Sequence, residues 1–440
     1  MFKKVFALIA LALASITLIA CGGKTDKKLV IRVWNNEFQD LFRKYYPDFK
    51  ETNADGTDTL KDGTIVKWVV VANEKNAYQI ALDDALLNQE TVKEEERIDM
   101  FLVEADYALK YVDSDYSLPI ADLGITDDDI KDQYQYTKDV MTSKDKKLKG
   151  LSWQATPGLF AYRQDIAEDV FGKVGITPEE VQTHISDWNK FEAVAAQMKA
   201  KNYQMLAGYD DAYRTYSNNV SSKWVDANNK IVIDQQLENW ITQTKKFSDS
   251  QYNGGSANSL WAPGWQKEQS IDGKTFGFFY STWGINFTLK GNAGAALDGK
   301  YRVVEGPASY FWGGTWLVAS KFTDQKDLVK DIMLKMTANK DIMKKLTLET
   351  LDYTNNKTAM KEIADDPSYG AAFLGGQNHI KLFAASAEKI SLKYISPYDQ
   401  GLNESLQTAM KDYFSGEATY EQALENFYTT VKALYPALKK

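Results

Sequence analysis

The sequence predicts an α/β fold arranged as two lobes. Near the N-terminus, buried strand patterns alternate with helical patterns, which is typical of a parallel sheet with crossover helices. The chain has 440 residues, more than one hydrophobic core usually supports, so we expect two domains or one bilobed unit. Helical and strand patterns continue to the C-terminus without an internal repeat or a low-complexity run.

The first 20 residues have the layout of an export signal. Lys3 and Lys4 precede an apolar stretch over residues 5–20, and the small residue Ala20 precedes Cys21. This stretch is short for a transmembrane helix, which needs ~20 apolar residues. Cys21 is the sole cysteine, and its position resembles that of the lipid acceptor of bacterial lipoproteins. We therefore expect a signal peptide over 1–20, lipidation at Cys21 and a polar tether over 21–27.

Composition excludes several classes of function. The formal net charge is −8, with 60 acidic and 52 basic residues, and the chain has no long basic run, so we expect no nucleic-acid partner. One Cys and two His nearly exclude a soft-metal site, and no phosphate loop or nucleophile elbow is present. We therefore expect no metal, no cofactor and no catalytic set.

Aromatic residues are the unusual component, with 11 Trp, 25 Tyr and 20 Phe. Trp and Tyr combine a flat apolar face with a polar atom, which suits stacking on sugar rings. Burial in a large core is the alternative, and composition does not choose between them.

The first half of the chain predicts three strands and two helices in alternation. The strands are expected at 29–33, 64–71 and 98–103, and the helices at 37–49 and 77–96. In parallel sheets, ligands bind beyond the carboxyl ends of the strands. Five candidate binding residues fall there: Trp34, Asn35, Asn36, Glu104 and Asp106.

Each of these candidates has a structural alternative. Trp34 could cap the core, and Asn35, Asn36 or Glu37 could cap the following helix. The carboxylates of Glu104 and Asp106 could instead interact with a helix dipole. We expect one of the three residues after Trp34 to be a cap and another to bind, and one of the two acids to face the ligand.

The second half predicts more irregular structure. Predicted elements are a strand region at 148–162, helices at 185–201, 234–250 and 324–349, a hairpin at 223–233, strands at 276–287 and 313–319, and two helices within 402–439. The strand at 276–287 is expected to break at residues 281–284. Trp283 is followed by Gly284, and Trp312 by Gly313, and glycine lets a backbone approach a ligand closely.

Four segments carry a resemblance to a known family. They are LVIRVWNNEF behind Cys21, RIDMFLVEADYALKYV, LKGLSWQATPGLFAYRQDI and GPASYFWGGTWLVASKFTDQKDLVKDIMLKMT. Together they resemble the extracellular solute-binding proteins of carbohydrate ABC transporters, the group that includes maltose-binding protein. The resemblance implies a periplasmic-binding-protein-like fold, with a hinge of several crossing segments and a ligand cleft between the lobes. Lobe 1 would be 28–155 plus 303–347, and lobe 2 would be 160–300 plus 350–440.

The resemblance also implies further binding residues. Trp153 and Gln154 lie at the expected hinge, and Tyr209 and Asp210 match a position from which the second lobe often contacts ligand. Further candidates are Trp283, Trp312 and Gly313, with Tyr398 and Asp399 closing the rim. Trp261 and Trp265 are expected in a loop, as lid or core.

The expected function is that of a monomeric, lipid-anchored, non-catalytic binding subunit of an ABC importer. It would capture a sugar or oligosaccharide outside the cytoplasm, on the outer face of the cytoplasmic membrane, and present it to the permease subunits. The alternatives are a secreted glycoside hydrolase, for which Glu104 and Asp106 are the candidate carboxyl pair, and a carbohydrate-sensing surface lipoprotein.

Overall fold

A computed structural model describes residues 27–440, so the predicted signal and Cys21 lie outside the described residues. The strands are β1 (Lys28–Val33), β2 (Phe49–Thr52), β3 (Asp58–Leu60), β4 (Ile65–Val70), β5 (Met100–Glu104), β6 (Leu151–Ser152), β7 (Gly158–Arg163), β8 (Gly277–Ser281), β9 (Tyr301–Val304) and β10 (Thr315–Ala319).

The helices alternate with the strands at first and dominate the C-terminal part. They are α1 (Glu37–Tyr45), α2 (Ala77–Leu87), α3 (Ala105–Val112), α4 (Gln135–Val140), α5 (Gln164–Phe171), α6 (Pro178–His184), α7 (Trp188–Ala200), α8 (Tyr213–Ser217), α9 (Gln235–Asp249), α10 (Pro263–Glu268), α11 (Thr282–Gly284), α12 (Lys290–Ala293), α13 (Lys326–Thr337), α14 (Lys340–Thr350), α15 (Lys357–Ala364), α16 (His379–Ala387), α17 (Asp399–Ser415) and α18 (Tyr420–Leu434). Among these described elements, no helix has the length and apolar character needed to span a membrane.

The larger sheet has the strand order β2-β3-β4-β1-β5-β10-β6. Strands β4, β1 and β5 are parallel, as the alternation of strands and helices predicts. Strand β10 enters antiparallel beside β5, with Thr315 opposite Glu104. The N-terminal end of β10 therefore meets the carboxyl ends of β1 and β5 at one edge of the sheet.

The first predicted helix ends earlier than expected. Helix α1 stops at Tyr45, and Phe49 begins the short strand β2 instead. Tyr46 has extended backbone (φ −70°, ψ 118°) because it precedes Pro47, whose ring disfavours helical geometry in the residue before it.

The smaller sheet belongs to the second lobe and has the antiparallel order β8-β7-β9. Its two faces pack into different cores because successive strand residues point in opposite directions. Phe160 and Phe279 face one core, together with Trp240 of α9. Leu159 and Phe278 face the core that surrounds the larger sheet.

One predicted lobe boundary differs from the observed strand pairing. Residues 303 and 304 were expected to open the return to lobe 1, but they pair with Ala161 and Phe160 in the smaller sheet. The return to the larger sheet lies between β9 and β10. The other boundaries stay a prediction.

Candidate functional site

A cavity of about 310 Å³ lies between the two sheets. It is lined by residues of the larger sheet's edge, of the segments that cross between the lobes, and of the second lobe. The lining residues are Trp34, Asn35, Glu37, Glu104, Asp106, Gln154, Arg214, Trp261, Trp283, Phe287, Trp312, Gly313, Gly314 and Thr315.

The first-lobe side of the cavity is built on strand ends, as the parallel-sheet rule predicts. Trp34 follows β1, and its ring packs edge-on against Tyr78 and Tyr107, with centroids 5.7 and 6.1 Å away. Glu104 ends β5 and accepts a hydrogen bond from the Asp106 backbone N–H at 2.7 Å. Glu104 is therefore both the N-cap of α3 and a wall of the cavity, so the capping and binding alternatives are compatible.

In the loop after β1, the residues that line the cavity differ from those predicted. Asn35 Oδ1 accepts from the Glu37 N–H at 3.0 Å, and Asn35 also lines the cavity. Asn36 is exposed and lies outside the lining. Glu37, expected only as a possible cap, lines the cavity, and its place in the first helical turn after a strand end was the signal for it.

Gln154 joins two carboxyl groups at the base of the cleft. Its Nε2 donates to Glu37 Oε1 at 3.1 Å and to Asp352 Oδ2 at 3.0 Å, and the Thr282 hydroxyl donates to the other oxygen of Asp352. Desolvation, reinforced by Asp352, raises the pKa of Glu37 to about 8. Desolvation also raises the pKa of Asp352, so both carboxyl groups of this network bind a proton more readily than they would in water.

Glu104 has a similar electrostatic environment. Burial raises its pKa first, and Asp106 raises it further, while Arg214 acts in the opposite direction. The cavity wall therefore holds two carboxyl groups that protonate more readily than usual.

Three tryptophans meet on the opposite side of the cavity. The Trp261 ring stacks on Trp283 at 5.9 Å and 15°, and Trp312 meets Trp283 edge-on at 5.3 Å and 76°. Trp283 Nε1 donates to the Trp312 carbonyl at 3.1 Å. Trp283 and Trp312 were expected at the site, whereas Trp261 was left open between lid and core.

Gly313 is needed for this packing. Its φ is +75°, and a Cβ there would lie 3.1 Å from Trp283 Nε1 and 3.5 Å from Glu104 Oε1. A side chain would therefore be strained in backbone and would press on both sides of the cavity.

The Trp261 loop is held by two buried carboxyl groups. Asp210 accepts from the Leu260 N–H at 3.0 Å. Asp211 accepts from the Gly208 N–H at 2.6 Å and from Trp265 Nε1 at 2.9 Å. Desolvation, with a contribution from Asp210, raises the pKa of Asp211 to about 8. Trp265 is thus core, whereas Trp261 is 48% exposed at the cavity rim, with φ +71°.

An ion pair connects the two lobes across the cavity. Arg214 of α8 binds Asp106 of α3 through both nitrogens, at 2.6 and 2.5 Å, and its guanidinium lies 5.7 Å from the Trp312 ring centroid. Sequence reasoning missed Arg214, since it lies in a five-residue helix and only the fold brings it opposite Asp106.

The structure places several predicted site residues elsewhere. Trp153 is 1% exposed and packs on Phe38 in the first core, because its side chain points to the opposite face from Gln154. Tyr209 packs against Phe414, and neither it nor Asp210 lines the cavity. These three side chains therefore do not line this cavity, and their contact with a ligand stays a prediction.

The predicted rim at the start of α17 also lies away from the cavity. Tyr398 packs against Tyr435. Asp399 accepts from the Ser396 hydroxyl at 2.5 Å and lines a separate void of about 70 Å³ on the other side of the Asp106–Arg214 pair.

A family model described as bacterial extracellular solute-binding protein matches residues 69–372. The chain belongs to this family. Its members are substrate-binding proteins rather than enzymes, and the family places this solute-binding protein outside the cytoplasm. No curated protein sequence matches the chain.

Solved structures share the two-lobed fold of this solute-binding protein. An extracellular solute-binding protein of family 1 has a TM-score of 0.72 at 17% identity, covering 92% of this chain and 99% of the other. The MalE sugar-binding protein of Xanthomonas citri has a TM-score of 0.68 at 12% identity, covering 93% and 98%. An ABC transporter associated binding protein from B. animalis subsp. lactis, solved with β-1,6-galactobiose, has a TM-score of 0.67 at 16% identity, covering 93% and 97%.

Proposed function

We propose that this protein is the substrate-binding subunit of an ABC importer and captures a sugar or oligosaccharide in the cavity between its lobes. One observation carries the proposal: four tryptophans and a set of carboxyl and amide groups line a single cavity of about 310 Å³. Ligand cavities of proteins generally combine an aromatic wall with a few polar groups that fix orientation.

The chemistry of the lining matches that of a sugar ring. Each ring presents an apolar C–H face and a rim of hydroxyls, so an aromatic wall can stack on the face while carboxylates accept from the hydroxyls. Trp34, Trp261, Trp283 and Trp312 would supply the stacking. Asn35, Glu37, Glu104 and Gln154 would supply the polar contacts. Proteins of the same fold were solved with β-1,6-galactobiose and with acarbose, which supports this class of ligand.

The inter-lobe ion pair would report ligand capture to the permease. Arg214 and Asp106 come from different lobes, so their contact forms only when the lobes are close together. A ligand that touches both lobes would favour this arrangement by its differential affinity. The permease would then recognise the closed arrangement.

A thermal-shift screen against a glycan panel tests the proposal. A bound ligand raises the unfolding temperature by mass action, so we expect at least one sugar to stabilise the protein, and amino acids and short peptides, the control panel, to have no effect. Chromatography of the sugars after incubation should recover them intact. Stabilisation by peptides alone, or cleavage of the sugar, would contradict the proposal.

We also propose that Cys21 carries a lipid that anchors the protein to the outer face of the cytoplasmic membrane. A Cys21→Ala variant should leave the membrane fraction and be recovered soluble, while its sugar-induced stabilisation is unchanged. Retention of the variant in the membrane fraction would contradict the anchor.

A further inference from the structure

We infer that the cavity accepts uncharged or ammonium-bearing sugars and rejects sugars that carry a carboxylate or a phosphate. This inference rests on the proposed function and narrows its ligand class. It follows from the balance of charges and of hydrogen-bond donors in the cavity wall.

The wall contains three carboxyl groups and one cation. Glu37, Glu104 and Asp106 line the cavity together with Arg214, and Asp352 lies directly behind Glu37 through Gln154. Among the lining residues of this cavity, no lysine or second arginine balances the carboxyl groups. An anionic ligand would therefore place its negative charge beside three acidic side chains and only one cation, in a confined space where like charges are costly.

The one cation of the wall, Arg214, is already paired with a carboxylate of the protein. Both terminal nitrogens of Arg214 bind the two carboxylate oxygens of Asp106, at 2.6 and 2.5 Å. This is the bidentate geometry with which arginine would otherwise hold a ligand carboxylate or phosphate. An anionic sugar would have to displace Asp106, and the displaced carboxylate would remain beside it.

Two further donors of the wall are also occupied. The Gln154 amide donates to Glu37 and Asp352, and Trp283 Nε1 donates to the Trp312 carbonyl. By contrast, Glu37 accepts from Gln154, and Glu104 accepts from the start of its own helix, so each carboxyl group retains acceptor capacity. Free acceptors suit hydroxyl and ammonium groups, both of which are donors.

The proton affinity of the wall agrees with this geometry. The raised pKa values of Glu37 and Glu104 show that nearby positive charge does not compensate their burial. An ammonium group placed between the tryptophans and these carboxyl groups would supply that charge, and aromatic faces also attract cations.

Matched ligands test the inference. Each neutral sugar that stabilises the protein is compared with its C6-oxidised uronate, its C6 phosphate and its 6-amino-6-deoxy derivative, with Kd measured by calorimetry. We expect the amino derivative to bind at least as tightly as the parent, and the two anionic derivatives to bind about tenfold more weakly or not at all. Raising the ionic strength to about 1 M should reduce this discrimination, because the screening length falls to about 3 Å.

The double variant Glu37→Gln, Glu104→Gln identifies the groups responsible. It should weaken binding of the parent sugar, yet lower the ratio of the uronate Kd to the parent Kd by about tenfold. The control is Glu192→Gln, since Glu192 pairs with Lys246 on α7 and α9, outside the cavity, and this ratio should stay at the wild-type value.

The outcomes separate the inference from the proposed function. Uronates that bind as tightly as their neutral parents, or a variant ratio equal to the wild-type ratio, would overturn the inference and leave sugar binding intact. A panel in which no neutral, amino or anionic sugar binds would overturn the proposed function, and the inference with it.

Discussion

The two sides of the cavity are built on different structural principles. On the first-lobe side, Trp34 follows β1 and Glu104 ends β5, and the hydrogen bonds of these parallel strands fix where each strand ends. On the second-lobe side, Trp261 lies in a loop with left-handed backbone, and Phe287 lies in a π-helical segment (Ile285–Leu289) between α11 and α12, 70% exposed. The sheet therefore fixes the geometry of the first-lobe side, whereas the second-lobe side requires side-chain hydrogen bonds that anchor its loop.

Those anchors are acidic residues that do not touch the cavity. On the first-lobe side, strand hydrogen bonds fix the backbone. On the second-lobe side, Asp210 and Asp211 take this role by accepting hydrogen bonds from backbone and indole N–H groups. The binding geometry of the second-lobe side therefore depends on buried polar groups, so single substitutions away from the cavity should affect that side most.

Asp211→Ala is the largest expected effect. It removes the acceptor of the Gly208 N–H and of Trp265 Nε1, both buried, and should lower the free energy of unfolding by about 2–3 kcal/mol, the cost of leaving buried donors unpaired. Glu104→Ala, which removes the N-cap of α3 on the sheet-built side, should cost about 1 kcal/mol. Urea unfolding of both variants measures the difference, and equal losses would contradict the proposed dependence on anchors.

The sheet-built side is also the side that the sequence predicts. Trp34, Asn35, Glu104 and Asp106 could be placed because a buried apolar run ends just before each group, and strand ends of a parallel sheet meet at one edge. Glu37 follows the same logic but was assigned only to capping. Asn36 was included by adjacency alone, and the structure leaves it exposed.

The second-lobe side could be predicted only in part. Trp283 and Trp312 were marked by neighbouring glycines, and Gly313 does approach Trp283 closely. Arg214 and Trp261 have no local pattern, since long-range packing alone positions them. Trp153 was predicted at the site because it is next to Gln154 in the sequence. Side chains alternate along an extended segment, however, so Trp153 is buried in the core.

Trp34→Ala and Trp261→Ala form the next test, with one tryptophan from each side. Each should weaken sugar binding by about 1–3 kcal/mol, taking the stacking of nucleic-acid bases as a guide. The stabilities of the two variants should differ. Trp34→Ala should also lower the free energy of unfolding by about 1–2 kcal/mol, because it loses contacts with Tyr78 and Tyr107. Trp261→Ala should change the free energy of unfolding little, because Trp261 is half exposed.

Calorimetric titration and urea unfolding on the same two samples separate these effects. Trp188→Ala is the control, because Trp188 stacks on Tyr216 outside the cavity and its removal should leave sugar affinity unchanged. Sugar affinity that survives at Trp261→Ala would mean that the loop is only a cover, and that the sheet-built side binds alone.

The smallest expected effect is the pH dependence of stability set by Glu37. Its pKa in the folded protein is raised to about 8 from an ordinary 4.5, so the folded state holds a proton that the unfolded state has released. Stability present below pH 4.5 is therefore lost as the pH rises through 8. Glu37→Gln should remove the part of this loss that is due to Glu37, about 1 kcal/mol of unfolding free energy. This figure is well below the full linkage value because water reaches the half-buried side chain.

Unfolding curves between pH 5 and pH 8.5 measure this term, with and without sugar. Sugar hydroxyls that donate to Glu37 would favour its ionised form and lower its pKa, so saturating sugar should flatten the wild-type profile more than that of Glu37→Gln. The corresponding loss from Asp211, whose pKa is also raised to about 8, should persist with sugar, because its oxygens are occupied within the protein. A sugar-independent profile in the wild type would place Glu37 among the anchors rather than among the groups that the ligand contacts.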